Sequence, residues 1–267
     1  LPILQNMGFR IISEQPQTVA PKDYDHKVWV HDLLMETNNN NDKPIVIEEI
    51  KETFEEALLK LWRKEMEDDS LNTLSVQAGL NWRQISLLRA YTHYMRQIRY
   101  SHGQALIRRA LNTYPHIAQA LVRLFDARHN PDKAVKDRKV EAAGCMVEFD
   151  HYLEAVESLE YDRVFRTMAS IVQETLRTNF YQKDEEGQHK SYISLKIRSS
   201  KLSEVPSPKP WAEIFVYAPE MEGVHLRGGP VARGGLRWSD RQEDFRTEVL
   251  GLMKAQVVKN GVIVPTG

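Results

Sequence analysis

Cysteine is almost missing from this sequence of 267 residues, in which Cys145 is the only one. A single cysteine excludes a disulfide framework and a zinc site built on cysteines, and it predicts a reducing compartment, most simply the cytoplasm. An excess of charge of one sign is missing too, because 36 Lys and Arg stand against 37 Asp and Glu and the formal net charge is -1. This balance argues against nucleic acid or an anionic membrane as a partner.

Long apolar runs are also missing. No stretch reaches the roughly 18 apolar residues that a membrane-spanning helix needs, so we expect no membrane anchor of that kind. The opening LPILQNMGFR has neither the basic start nor the apolar core of a signal peptide, and no initiating Met. The chain stops where an apolar run enters Pro265-Thr266-Gly267. We therefore expect it to be an internal part of a longer polypeptide.

The residues that are present change periodicity along the chain. Residues 1–36 predict two strands at the end of a domain begun upstream, and the Asn-rich residues 37–44 predict a linker. The apolar residues of residues 45–181 have helical spacing. Within residues 182–267, apolar and polar residues alternate as in strands in SYISLKIRSS and AEIFVYAP, and one helical pattern follows. The predicted fold class is mostly α with small β parts (α+β), with an N-terminal strand pair, a central helical bundle and the start of an α/β domain.

Several helix boundaries can be predicted inside the helical region. Ser70 and Asn81 are candidate N-caps, because short polar side chains there bond the free amides of a first turn. The pattern over residues 134–181 predicts either one long helix or two, broken near Gly144 or near Tyr161.

One helical segment raises a different function. AGLNWRQISLLRAYTHYMRQIRY contains a helix, a glycine turn and an arginine-rich second helix, which is the layout of a helix-turn-helix that reads DNA. The alternative is a bundle segment whose arginines face solvent or pair with glutamates. The neutral total charge favours the bundle. The arginines concerned are Arg83, Arg89, Arg96 and Arg99.

The segment from Leu226 to Gly267 carries the most unusual chemistry. In HLRGGPVARGGLRWSD, two Gly-Gly pairs enclose Arg233. Paired glycines let a backbone approach a ligand closely, and neighbouring arginines can hold a carboxylate through two parallel hydrogen bonds. The spacing fits neither a dinucleotide fingerprint nor a P-loop. From the residues alone this is an anion-binding loop, within an enzyme or a helical regulatory module, or a structural connection whose arginines pair with nearby acids.

A helix is predicted directly after this loop. Ser239 or Asp240 can cap it. Gln256 and Lys259 lie three residues apart and share one helix face, whereas Lys254 points elsewhere. Gln256 and Lys259 can therefore hold one carboxylate together. The alternative for Lys259 is a cation that stabilises the end of the helix.

The run GGPVARGGLRWSDRQEDFRTEVLGLMKAQVVKN resembles the substrate-binding region of glutamate dehydrogenases, and most closely the very large NAD-specific enzymes of bacteria. VWVHD and LNTLSVQAGLNWRQISLLRAY also resemble that family, so the resemblance covers the whole chain. It implies oxidation of L-glutamate to 2-oxoglutarate and ammonia with NAD. It also implies an ACT-like regulatory module ending in residues 1–36 and a substrate-binding domain beginning in residues 182–267. NAD would bind to a domain outside this chain, the full-length enzyme would be a homo-oligomer, and the chain alone would be inactive.

The resemblance also implies site residues. In the family, a lysine before a Gly-Gly-[Ile/Leu]-Arg-aromatic run contacts the distal carboxylate of glutamate. In this chain the matching run is Gly234-Gly235-Leu236-Arg237-Trp238, and the residue before it is Arg233. An arginine keeps the positive charge of the lysine but has a different geometry. A second lysine matches Lys259, and a glutamine three residues earlier matches Gln256. Both would hold the α-carboxylate. No metal is implied, and the family's catalytic lysine would follow Gly267. The substrate-binding residues implied are Arg233, Gly234, Gly235, Gln256 and Lys259.

Overall fold

A computed structural model describes residues 2–20, 22, 26–37, 46–230 and 238–258, with side chains described as far as residue 256. The chain divides into two compact units, Leu1–Ile85 and Ser86–Gly267. Helices and two small antiparallel sheets make up the described residues, which confirms the predicted α+β class. Within these residues, no helix has the length and apolar content needed to cross a membrane.

The first unit holds a β-hairpin, one long helix and several short helical segments. Both predicted strands are confirmed, and they pair antiparallel from Phe9↔Thr37 to Val19↔Val28. The ring of Phe9 contacts Phe54 edge to face at 5.3 Å, which ties the hairpin to the apolar side of the first long helix. The elements are α1 (Pro2–Asn6), β1 (Phe9–Val19), β2 (Val28–Thr37), α2 (Ile47–Trp62), a 3-10 turn (Ser70–Thr73) and α3 (Leu74–Gln77).

Two predicted N-caps can be compared with the structure. The cap predicted at Ser70 lies one residue earlier, because the side chain of Asp69 accepts the Leu71 N–H. Asn81 is confirmed as the cap of the next helix. Its side chain accepts the Gln84 N–H at 2.9 Å, and the side chain of Gln84 accepts the Asn81 N–H at 3.0 Å, so two amides are satisfied reciprocally.

The long helical pattern after residue 134 is two helices and a strand. The break lies between Leu153 and Leu159, not at Gly144 or Tyr161, and Ser158 caps the second helix. The prediction of helix through residue 181 is wrong after Glu174, because the chain there pairs with a later strand. The helices are α4 (Trp82–Gln97), α5 (Gln104–Thr113), α6 (Pro115–His129), α7 (Val135–Leu153) and α8 (Leu159–Glu174).

A four-stranded antiparallel sheet follows, with its strands in chain order. The strands are β3 (Thr175–Thr178), β4 (Ile193–Ile197), β5 (Ala212–Ala218) and β6 (Met221–Arg227). β4 and β5 confirm the predicted strands, whereas β6 was not predicted. The inner face of the sheet packs on the helices, for example through Phe215, whose ring lies 5.6 Å from that of Tyr94 in α4.

The last described helix is α9 (Phe245–Val258), which begins later than the caps predicted at Ser239 or Asp240. The Ser239 hydroxyl does accept the Arg241 N–H at 3.2 Å, but that bond opens a turn, not the helix. The helical bonding starts when the Phe245 N–H donates to the Arg241 carbonyl.

The burial of helix α4 argues against the DNA-binding alternative. Residues 85–95 are all buried. Arg83 and Arg89 are buried and do not face solvent. Arg96 pairs with Glu222, as the bundle interpretation allowed, and Arg99 pairs with Asp244. A recognition helix must present its side chains to a groove, and this helix does not.

Candidate functional site

The described residues include only one of the five substrate-binding residues implied by the sequence. Gln256 lies on α9, near its end, and is exposed. Lys254 is exposed on the same helix. The residues Arg233, Gly234, Gly235 and Lys259 lie outside the described part of the chain. The structure does describe the two elements that flank the loop, β6 and α9, and the contacts that hold α9 in place.

A buried ion pair fixes the first turn of α9 to the sheet. The Nε of Arg246 donates to one carboxylate oxygen of Glu213 at 2.8 Å, and a terminal nitrogen donates to the other oxygen. The side chains of Arg246 and Glu213 are only 2% and 0% exposed. Burial acts to lower the pKa of Arg246, but the bonds to Glu213 outweigh burial and raise it. Such two-point contacts fix orientation as well as distance.

Gln97, near the end of α4, joins three segments that are distant in the sequence. Its Nε2 donates to the Gln242 carbonyl at 2.8 Å and to the carboxylate of Glu222 at 3.0 Å. Its Oε1 accepts the Arg246 N–H at 3.3 Å. The first amides of a helix have no partner inside that helix, so Gln97 satisfies one that α9 cannot. One side chain therefore connects α4, β6 and the start of α9.

The carboxylate of Glu222 is the matching anchor on β6. It accepts a bond from His93 Nδ1 at 2.8 Å, and Arg96 and Gln97 contact it as well. All three residues lie on α4, with Arg96 and Gln97 one helical turn after His93, and so face the hairpin of β5 and β6 together. The ring of His93 also contacts Tyr217 of β5 edge to face at 5.1 Å. Helix α4 thereby holds both the sheet and α9.

The sequence analysis missed these anchoring residues, although one signal was present. Glu213 shares its strand face with Phe215 and Tyr217, which places it on the buried side. A carboxylate at such a position requires a cation or a set of hydrogen bonds, since an unpaired buried charge is costly. Strand alternation alone thus predicts a partner for Glu213, but not that the partner is Arg246.

The entry to the glycine-rich loop is less constrained. The guanidinium of Arg227 donates to the Pro230 carbonyl and lies 5.3 Å from the ring centre of Trp211. A Cβ built on Gly229 would have no neighbour within 4 Å. Contacts with the described residues therefore do not require a glycine at this position. Among the described residues, no group of His, Cys, Asp and Glu is arranged to hold a metal ion.

Comparison with known families gives three matches along the chain. Residues 148–267 match the family described as bacterial NAD-glutamate dehydrogenase, catalytic domain. Residues 66–131 match glutamate dehydrogenase, helical motif 3, and residues 1–49 match glutamate dehydrogenase, ACT3 domain. The anchoring contacts therefore join a helix of the helical-motif match to strands and a helix of the catalytic-domain match.

Individual relatives agree with this assignment. The NAD-specific glutamate dehydrogenases of Halomonas elongata and Pseudomonas aeruginosa are both 44% identical to the chain, over 267 and 274 residues. That of Mycobacterium tuberculosis is 42% identical over 273 residues. Each alignment covers 100% of this chain but only 16% to 17% of the relative, so the chain spans a small part of their length. Taken with the glycine-arginine run that leads into α9, these matches show that the chain belongs to the family of bacterial NAD-specific glutamate dehydrogenases.

Proposed function

We propose that this chain is the part of an NAD-dependent glutamate dehydrogenase that positions the carboxylates of the substrate. The whole enzyme would convert L-glutamate, NAD+ and water to 2-oxoglutarate, ammonia and NADH. The observation that carries the proposal is the attachment of α9, whose first turn is fixed by Arg246, Glu213 and Gln97 while the end that bears Gln256 is exposed.

Helix geometry explains why contacts at the first turn of α9 determine the position of Gln256 near its other end. From Arg246 to Gln256 the helix rises about 15 Å at 1.5 Å per residue. A tilt of about 4° at the first turn would move the end by about 1 Å, and a displacement of that size can cost on the order of 100-fold in rate. A two-point ion pair with an additional amide bond removes that freedom before substrate arrives. Positioning of this kind holds the substrate in the orientation that the reaction requires.

Within this proposal the substrate contacts follow the family resemblance. Arg233, with the backbone of Gly234 and Gly235, would hold the distal carboxylate, and Gln256 and Lys259 would hold the α-carboxylate. The catalytic proton transfers would use residues outside this chain. The same proposal assigns residues 1–36 to an ACT-like module, residues 37–44 to a linker, and residues 182–267 to the beginning of the substrate domain. It also includes a cytoplasmic homo-oligomer.

The described residues do not fit the cofactor. All strand pairs among them are antiparallel, whereas a dinucleotide fold needs parallel strands joined by helices. NAD would therefore be bound elsewhere in the protein, and the part played by this chain is binding and orientation of glutamate.

The test is Lys259→Ala in the complete enzyme. We expect the KM for glutamate to rise by roughly 10- to 100-fold, because a charge-assisted bond to the carboxylate is lost, while the KM for NAD+ stays unchanged. Lys254→Ala, on α9, is the control and should leave both constants unchanged. An unchanged KM for glutamate in Lys259→Ala would reject the site, and a complete enzyme that does not oxidise glutamate would reject the function.

A further inference from the structure

The four-stranded sheet has a second face that takes no part in anchoring α9. Glu213, Phe215 and Tyr217 point toward the helices, so Ile214 and Val216 of β5 point to the opposite side. The pairing register extends this outer face across the sheet. Lys196 lies opposite both Arg177 and Ile214, and Ile214 lies opposite His225.

The outer face holds the permanent cations of the sheet. They are Arg177 of β3, Lys196 of β4 and Arg227, which has the same strand parity as His225 in β6. The four strands contain two carboxylates, Glu213 and Glu222, and both bond partners on the inner side. The outer face of these strands is therefore basic and apolar, although the whole chain has a formal net charge of -1.

These cations repel one another in the structure. Arg177 and Lys196 are direct cross-strand neighbours, and like charges in that relation are destabilising. Burial lowers the pKa of Lys196, and the nearby charges of Arg177 and Arg227 lower it further. Among the described residues, none of these three cations has a carboxylate within 4.0 Å, whereas Arg198 beside them reaches Glu174 at 3.9 Å. An anion held between them would relieve this repulsion.

We propose that the outer face of the four-stranded sheet binds a phosphate-bearing small molecule that carries at least two negative charges. Cross-strand side chains start about 5 Å apart, so Arg177 and Lys196 can reach the same phosphate. Arg227 is two strands from Lys196 and two residues further along, about 12 Å away at the backbone, and its guanidinium, which also donates to the Pro230 carbonyl, can bond a second, linked phosphate. A guanidinium fork matches phosphate oxygens in shape as well as charge. This proposal does not depend on the proposed function.

The experiment measures binding of inorganic pyrophosphate to the complete enzyme by isothermal titration calorimetry, with NAD+ present to occupy the cofactor site. The double variant Arg177→Gln/Lys196→Gln should bind pyrophosphate at least about tenfold more weakly than the unaltered enzyme, because two charge-assisted contacts are lost. Arg109→Gln, an exposed arginine on α5, is the matched control and should bind as the unaltered enzyme does. Equal affinity in the double variant, or no binding by the unaltered enzyme, would overturn the proposal.

A second arm separates the two sources of such a phosphate. ADP that binds tighter than pyrophosphate identifies a nucleotide, and pyrophosphate that binds as tightly as ADP or tighter identifies a phosphate compound without a base; either result supports the site. Melting temperatures without phosphate provide a further check. Lys196→Gln should melt at the same or a higher temperature, because repulsion is removed. A fall of several degrees would show that Lys196 has a structural role, and would contradict the proposal.

Discussion

The two faces of the four-stranded sheet use charge in opposite ways. On the inner face, Glu213 is buried and Glu222 is half-buried, and each meets cations or amides from α4 or α9. On the outer face, Arg177, Lys196 and Arg227 have no carboxylate within 4.0 Å among the described residues. Charges that are already paired define where one element lies relative to another, whereas unpaired charges of one sign are available to an external partner.

The comparison predicts that the same kind of substitution has opposite effects on the two faces. Removing an inner charge leaves its buried partner unsatisfied and should destabilise the protein. Removing an outer charge reduces repulsion and should not. The predictions below run from the largest expected effect to the smallest.

The largest effect is expected from Arg246→Leu. This change leaves Glu213 buried without its cation, and breaking a buried pair from one side costs about 3–5 kcal/mol. Chemical denaturation followed by tryptophan fluorescence would measure the free energy of unfolding. The double variant Glu213→Leu/Arg246→Leu should regain most of that loss, because no charge is left unpaired. A loss below about 1 kcal/mol in the single variant would show that the pair is not an anchor.

A smaller loss is expected from Gln97→Met, which preserves the length of the side chain. The Gln242 carbonyl and the Arg246 N–H lose their partner, and a buried group left unsatisfied costs about 1–3 kcal/mol. The matched control is Tyr91→Phe on the same helix, which removes a buried bond of 2.9 Å between the Tyr91 hydroxyl and Thr175. Denaturation should show comparable losses for the two variants, and an unchanged stability in Gln97→Met would contradict its bridging role.

On the outer face, a substitution should increase the free energy of unfolding instead of decreasing it. Lys196→Glu replaces a repulsive cross-strand pair with an attractive one opposite Arg177, so we expect a gain of about 0.2–1 kcal/mol in the free energy of unfolding. The gain should shrink at high salt, because both side chains are at least partly accessible to solvent. A loss of stability would mean that Lys196 already has a favourable partner.

The smallest effect is expected at Arg99. Its ion pair with Asp244, at 3.1 Å, lies at the surface, where such pairs contribute little. The backbone of Arg99 is left-handed, with a φ of 59°. Because Ala carries the same Cβ cost there, Arg99→Ala reports on the ion pair alone. The free energy of unfolding should change by less than about 0.5 kcal/mol, and a larger change would extend the anchoring network to this pair.

The sequence predicted those elements whose pattern is local. Helical spacing predicted the helical region that contains α2 to α8, and alternation predicted β4 and β5. Asn81 was recognised as a cap because its partner lies three residues away. The strands β3 and β6 were missed. β3 is a four-residue continuation of a helical pattern, and β6 contains Gly223 and alternates weakly. Both are specified by pairing with distant strands, which one sequence read locally does not reveal.

The candidate site also has one part that local sequence patterns predict and another part that they do not. Helix periodicity placed Gln256 and Lys259 on one face, and this remains a prediction because Lys259 lies outside the described residues. The anchors could not be predicted as a set, because Gln97 meets Gln242 and Arg246 across 145 and 149 residues of sequence. Only the requirement that a buried Glu213 be paired was visible beforehand.

The central claim is that the inner-face contacts position α9, the helix that we propose binds glutamate, and steady-state kinetics of the complete enzyme test it most directly. The KM for glutamate and the KM for NAD+ should be compared in the unaltered enzyme, Gln97→Met and Tyr91→Phe. We predict that Gln97→Met raises the KM for glutamate about tenfold with an unchanged KM for NAD+, and that Tyr91→Phe changes neither. An unchanged KM for glutamate in Gln97→Met, or an equal rise in Tyr91→Phe, would contradict the account.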